Sequence, residues 1–317
     1  MPNKTYSDSN CAYLLLEQML KVNVPPAPKD FHTFWSSAYS AVQNFKPEVE
    51  LKDTDKKVKN WRVIDVHYSS TDDVTIGGWL LVPADKVPTR GFIVGHGYGG
   101  RTSPDFHWPF EDAAIFFPCC RGLGRSAMSP FSTDPQWHIL HNIDKRDQYI
   151  LKGCVEDIWI AVSCMELLFP YLQGKLGFLG LSFTGGVGAL AMACEERIAR
   201  AHFNVPTFGH HRWCLREPTL GSGHAIQAFF RKAPKLTLNT LRYYDAANAA
   251  EAITMPVHFA LALKDPVVSP AGQFAIYNHT TSDKQLFVLN EGHANYARQE
   301  EQKKQLLAEL DSFFTKL

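Results

Sequence analysis

From Arg90 to the C-terminus, short apolar runs alternate with segments of helix length, and this rhythm leaves few folds open to the chain. The runs are "GFIVGHG", "AAIFFPCC", "KLGFLGLS", "ARAHFNV", "MPVHFALAL" and "KQLFVLN". As a group they lack the apolar–polar alternation of a strand with one wet face. Strands apolar on both faces need cover on both, which predicts an α/β fold: a mostly parallel sheet of about eight strands with helices on each side. In "CVEDIWIAVSCMELLF", Val155, Ile158, Trp159, Val162, Met165 and Phe169 recur at three-and-four spacing and predict one stripe facing a core. Leu306, Leu307, Leu310, Phe313, Phe314 and Leu317 repeat the pattern in a last helix.

Upstream the pattern changes. "WRVIDVHYSS" and "TIGGWLLVPA" alternate and read as a hairpin turning at "TDD", which would add antiparallel strands at one edge. Residues 1–60 read as an N-terminal extension packing on the core domain, 61–317. That extension holds a possible helix around Ala12 to Lys21 and a mixed-charge run, "KPEVELKDTDKKVKN", expected as a solvated edge or loop. Between Val205 and Tyr244 the rhythm lapses into helical fragments, glycines and aromatics. An insertion of this length, about 206–244, predicts a lid or an oligomer contact.

Composition narrows the partners. Lys plus Arg and Asp plus Glu number 32 each, so no global field favours nucleic acid or an anionic membrane. No run approaches the roughly 18 uncharged apolar residues of a membrane span. The N-terminus lacks the basic, apolar and small-residue succession of a leader. The 7 cysteines are odd in number and lack C-x-x-C spacing, which predicts reduced, mostly buried thiols and a cytoplasmic protein. Cys119 and Cys120 would point to opposite faces of a strand, and His210 and His211 point apart on most backbones, so no metal is expected.

Within "GKLGFLGLSFTGGVGALAMA", residues 174 to 193, a strand ending at Leu179 and a helix from about Thr184 would set Ser182 on a sharp turn at the sheet edge. Gly180, Leu181, Ser182 and Phe183 are the first four positions of G-x-S-x-G, the strained strand-to-helix elbow that exposes a nucleophilic serine; Thr184 replaces the last glycine. A serine hydroxyl is a poor nucleophile at neutral pH and needs a base, a group orienting that base, and donors for the oxyanion. In a fold of this kind the order is Ser, acid, His, each acid and base at the end of a later strand. "KDPVVSP" after "MPVHFALAL" places Asp265 there, and "EGHANY" after "KQLFVLN" places His293 there. The backbone N–H groups of Phe183, after the nucleophile, and of Tyr98, in the loop "GHGYGGRT", are the expected oxyanion donors. The mechanism calls for no cofactor.

These blocks resemble the acetyl xylan esterase and cephalosporin-C deacetylase family, carbohydrate esterase family seven, within the α/β-hydrolase superfamily. The similarity runs from "FHTFW" through "GGWLLVPAD", "HGYGG", "RGLGRS" and "GLSFTGG" to "TLRYYDAANAAEAITMPVHFALALKDPVVSP" and "FAIYNHTTSDKQLFVLNEGH". The resemblance implies an esterase removing acetyl groups from small oxygen esters of sugars or similar molecules, with Ser182, Asp265 and His293 as triad. It also implies a homo-oligomer, a ring-like hexamer with its sites facing an internal cavity. Arg121, Pro206 and Trp213 are assigned to the substrate pocket. The chain departs from the family at Leu123, Phe183, Thr184 and Ala294, where glutamines, a glycine and a glutamate are usual, and the site becomes more apolar.

Two other readings are weighed. G-x-G-x-x-A occurs at Gly122, Gly124, Ala127 and at Gly186, Gly188, Ala191, but neither opens a helix directly after a strand and neither is followed by the acid that would hold a ribose, so a nucleotide site is not expected. A non-catalytic binding protein on the same fold, or an esterase or peptidase taking another acyl group, is the alternative to the acetyl esterase.

Overall fold

A computed structural model describes residues 15–317. Cys11, the start of the helix expected from Ala12, and most of the stretch read for a leader lie outside the described residues; residues 15–19 are helical. Among the described residues nine strands make one sheet: β1 (Val49–Val58), β2 (Trp61–Ser69), β3 (Thr75–Pro83), β4 (Arg90–Val94), β5 (Ala113–Pro118), β6 (Leu176–Leu181), β7 (Ile198–Asn204), β8 (Val257–Ala262) and β9 (Lys284–Leu289). Their spatial order is β1-β2-β3-β5-β4-β6-β7-β8-β9. The first three are antiparallel and β3 meets β5 antiparallel; from β5 to β9 every neighbouring pair is parallel.

The hairpin forms where the alternation places it, with the turn at Thr71–Asp73. The mixed-charge run supplies the exposed edge strand β1, so the sheet begins inside the segment read as an extension. Charged side chains on an edge strand discourage pairing with another chain.

The helices of eight residues or more are α1 (Phe31–Gln43), α2 (Ile150–Leu168), α3 (Phe183–Met192), α4 (Ser222–Lys232), α5 (Pro234–Leu241), α6 (Pro270–His279) and α7 (Gln299–Phe314). Because successive strand residues point to opposite faces, each unbroken apolar run feeds two cores. Ile93, Phe116, Phe178 and Phe259 face the layer containing α1, α2, α3 and α6. Phe92, Phe117, Leu179 and Phe287 face the layer containing α7.

Helix α2 is buried on nearly every side from Ile150 to Met165, Glu156 and Asp157 included, where the sequence predicts a single stripe. The second cover is the N-terminal segment: the rings of Trp35 and Tyr39 on α1 meet Trp159 edge-on, 6.1 and 5.0 Å between centres. The Trp35 indole N–H donates to the Tyr243 carbonyl at 2.8 Å, tying α1 to the end of the insertion. The insertion itself carries α4 and α5 and contributes no strand between β7 and β8. Among the described residues no helix is long and apolar enough to cross a membrane.

Candidate active site

Strand β6 runs to Leu181 and α3 begins at Phe183, so the whole reversal falls on Ser182, with φ 50° and ψ −104°. The turn is tighter than the sequence predicts because Gly180 and Leu181 pair onward with Phe203 and Asn204 of β7. A positive φ on a residue with a side chain costs about 1–3 kcal/mol and persists only where the surroundings hold it. Here the Ser182 N–H donates to the Asn204 carbonyl at 2.8 Å, while its carbonyl accepts from Thr207 N–H at 3.1 Å and Gly186 N–H at 3.2 Å. The Thr184 hydroxyl accepts from Leu181 N–H at 3.1 Å, so the residue standing in place of glycine closes the turn itself. Gly180 has no alternative: a Cβ there would lie 2.5 Å from the Thr184 carbonyl oxygen.

The ends of β8 and β9 bring two further side chains to this elbow. The His293 Nε2 lies 2.9 Å from Ser182 Oγ, and its Nδ1 lies 2.8 Å from Asp265 Oδ2. The Asp265 side chain is fully buried. Its Oδ1 accepts from the Val267 and Val268 N–H groups at 2.8 and 2.9 Å, and its Oδ2 accepts from Gln273 Nε2 at 3.1 Å as well as from the imidazole. Facing a carboxylate oxygen that only accepts, Nδ1 carries the imidazole proton, which leaves the Nε2 lone pair for the serine hydroxyl. Gly292 makes room for this: a Cβ there would lie 2.3 Å from Asp265 Oδ2.

Gln273 escapes sequence reasoning. It sits on α6, where its Oε1 accepts from Ala262 N–H at 2.9 Å and its Nε2 also reaches the Val268 carbonyl at 2.9 Å. It therefore ties β8, the loop after it and Asp265 into one unit. No local motif marks it; it is a polar residue set among the buried Ala271, Gly272, Phe274, Ala275 and Ile276.

Tyr98 lines the same cavity as Ser182, Phe183 follows Ser182 at the start of α3, and among the described residues the N–H of neither is seen to donate to another protein group. Two buried histidines fix the loop that carries Tyr98. His96 donates from Nδ1 to the Gly97 carbonyl at 2.7 Å, so its Nε2 accepts from Cys120 N–H at 3.0 Å. His138 donates from Nε2 to the Arg121 carbonyl at 2.9 Å, so its Nδ1 accepts from the Tyr98 hydroxyl, also at 2.9 Å. The two rings thus hold opposite tautomers. Burial pushes each pKa down to about 4, which keeps both neutral. The buried Phe183 ring lies between those of Tyr98 and Phe208, at 4.3 and 5.9 Å.

Of the three residues assigned to the substrate pocket, none lines a cavity next to Ser182. Arg121 is 2 % exposed and its guanidinium is taken up by Asp157, Asp72, Ser70 and Thr71; it acts on the site through its carbonyl, which holds His138. Pro206 is buried behind the elbow against Gly185. Trp213 is 41 % exposed, its ring edge-on to His210. The tandem histidines part as expected from their adjacency: His211 is bound to the Tyr244 carbonyl at 2.9 Å, and His210 accepts from Trp213 N–H at 3.2 Å. Two cavities instead meet at Ser182. One is lined by Tyr98, Phe208, Leu215, Ile226 and Val267, the other by His107, Trp108, His293, Asn295 and Tyr296.

A serine on a strained elbow, a histidine in reach of it and a buried carboxylate behind the histidine can together move a proton off the hydroxyl and onto a departing group. Comparison with known proteins gives the family and the fold. The family model described as Acetyl xylan esterase (AXE1) matches residues 13–310. The acetyl esterase Axe7A of Xylanibacter ruminicola is 27% identical over 287 residues, 82% of this chain; the chain spans 62% of that relative's length. Among solved structures, the acetyl xylan esterase from Paenibacillus sp. R4 superposes with a TM-score of 0.80 at 21% identity, covering 92% of this chain and 98% of the other. Acetyl Xylan Esterase 1 from Thermoanaerobacterium sp. JW/SL YS485 gives 0.78 at 19%, covering 93% and 98%. The alpha/beta hydrolase GrgF from Penicillium sp. sh18 gives 0.56 at 17%, covering 80% and 98%. At these identities the structures show a shared α/β-hydrolase fold.

Proposed function

The chain belongs to the acetyl xylan esterase family, and from that premise we propose that it hydrolyses small carboxylic esters, acetyl esters of sugars or similar small molecules among them, through an acyl-enzyme on Ser182. His293, oriented by Asp265, takes the hydroxyl proton as Ser182 Oγ attacks the ester carbonyl. The N–H groups of Phe183 and Tyr98 hold the negative oxygen that forms, a donor set worth about 3 kcal/mol per hydrogen bond in such sites. His293 then gives the proton to the leaving alcohol, and water, activated by the same imidazole, clears the acyl group. The observation that carries this reading is the unbroken line of hydrogen bonds from Asp265 through His293 to Ser182.

The test is turnover of p-nitrophenyl acetate by the full chain and by Ser182→Ala. The variant should keep its circular dichroism spectrum and lose at least about 10⁴-fold in kcat. Activity near the wild-type level in a folded Ser182→Ala protein would remove Ser182 as nucleophile. No activity in the wild type would favour the binding-protein alternative.

A further inference from the structure

We propose that the apolar cavity beside Ser182 is an acyl pocket for about three carbons beyond the ester carbonyl, so that butyryl esters are preferred to acetyl esters; this rests on the esterase reading above. The two cavities that meet at Ser182 are chemically distinct. His293 lines only the more open one, and since its Nε2 must deliver the proton to the leaving oxygen, the alcohol departs on that side. The other cavity is lined by Ser182 and Tyr98 but not by His293. The substituent on the carbonyl carbon opposite the alcohol has this space to enter.

The size of the space sets the chain length. The cavity measures about 90 Å³. An apolar protein cavity of about 150 Å³ holds benzene, six carbons, so the space beside Ser182 has room for three or four. The single methyl of an acetyl group would leave most of it unfilled and forgo the contacts its walls offer. Its apolar walls are Phe208, Leu215, Ile226, Val267 and Val268; His211 and the exposed Glu217 also line it, and among the described residues no Lys or Arg does. A dicarboxylic acyl group would bring a buried charge with no Lys or Arg to meet it, and is disfavoured. Leu215 and Ile226 come from the insertion, Ile226 from α4, so this segment sets the acyl preference.

In the reaction, Ser182 Oγ bonds to the butyryl carbonyl carbon as its proton passes to His293. The carbon–oxygen bond to the alcohol breaks and the alcohol leaves with that proton. Water then attacks the butyryl-enzyme, releasing butyric acid and restoring the hydroxyl.

The experiment is kcat/KM of the full chain for p-nitrophenyl acetate, butyrate, hexanoate and octanoate. Each methylene buried favours binding about fourfold, so butyrate should exceed acetate about fifteenfold, with hexanoate gaining nothing more and octanoate falling back. Ile226→Phe, which fills the pocket, should cut the butyrate-to-acetate ratio at least fivefold, and Leu215→Phe, on a partly exposed segment, supplies the same reading if the first variant does not fold. Acetate as best substrate with a steady decline along the series would overturn the pocket while leaving the esterase intact, as would a ratio that neither filling variant moves. Turnover of no ester, together with no labelling of Ser182 by a fluorophosphonate, would overturn the esterase reading and the pocket with it.

Discussion

At the scale of single residues, the candidate site divides into groups that a sequence can disclose and groups that it cannot. Ser182, Asp265 and His293 could be found because each stands where an apolar run stops, and strand ends in a parallel sheet share one rim. Gln273 and His138 could not: their partners lie on other elements, and neither neighbourhood carries a pattern tied to the role. Arg121 shows the opposite error. A residue placed near the site by resemblance spends its charge on Asp157 and contributes only its carbonyl. Gln273 is a positioning residue for Asp265, and Gln273→Leu should lower kcat about tenfold with KM nearly unchanged, because ester binding does not use it. It should also cost about 1–3 kcal/mol of stability, since the buried Ala262 N–H loses its acceptor. Steady-state kinetics that change KM alone would contradict this role.

At the scale of elements, the loop between β4 and β5 holds Tyr98, the proposed oxyanion donor, without any helix of its own, and two neutral histidines of opposite tautomer take the place of regular structure. Their neutrality has a consequence for stability. Unfolded histidine titrates near 6.5, whereas folded His96 and His138 titrate at about 4 because burial penalises the charged ring. Between those values the unfolded chain binds more protons than the folded one. The stability these rings contribute is therefore complete above about pH 6.5 and is lost as pH falls through about 4. Going from pH 7 to pH 5 should cost on the order of 2 kcal/mol per ring, read as a fall in the urea midpoint followed by tryptophan fluorescence. A midpoint that does not move across that range would mean that the rings are not held neutral. Helix α2 teaches a related lesson about legibility: its sequence shows one core-facing stripe, but α1 covers its outer side, and a helix pattern carries no mark of a cover supplied from more than a hundred residues upstream.

At the scale of the whole molecule, the architecture was legible because parallel strands buried on both faces leave an unmistakable rhythm, visible in "AAIFFPCC" and "MPVHFALAL". The edge was harder to read. Strand β1 is a row of charges whose partner is decided by the β2 it pairs with, so its own residues do not separate strand from loop. The insertion was legible as an interruption and not as a shape, and what it builds, one wall of the cavity beside Ser182, depends on where α4 packs. The central claim, that the hydroxyl on the elbow is the activated nucleophile, is tested most directly by intact-protein mass spectrometry after treatment with a fluorophosphonate, followed by peptide mapping. The account predicts a single adduct on Ser182, absent in Ser182→Ala and sharply slowed when His293 is replaced by Ala. An unmodified protein, or an adduct that persists in Ser182→Ala, would contradict it.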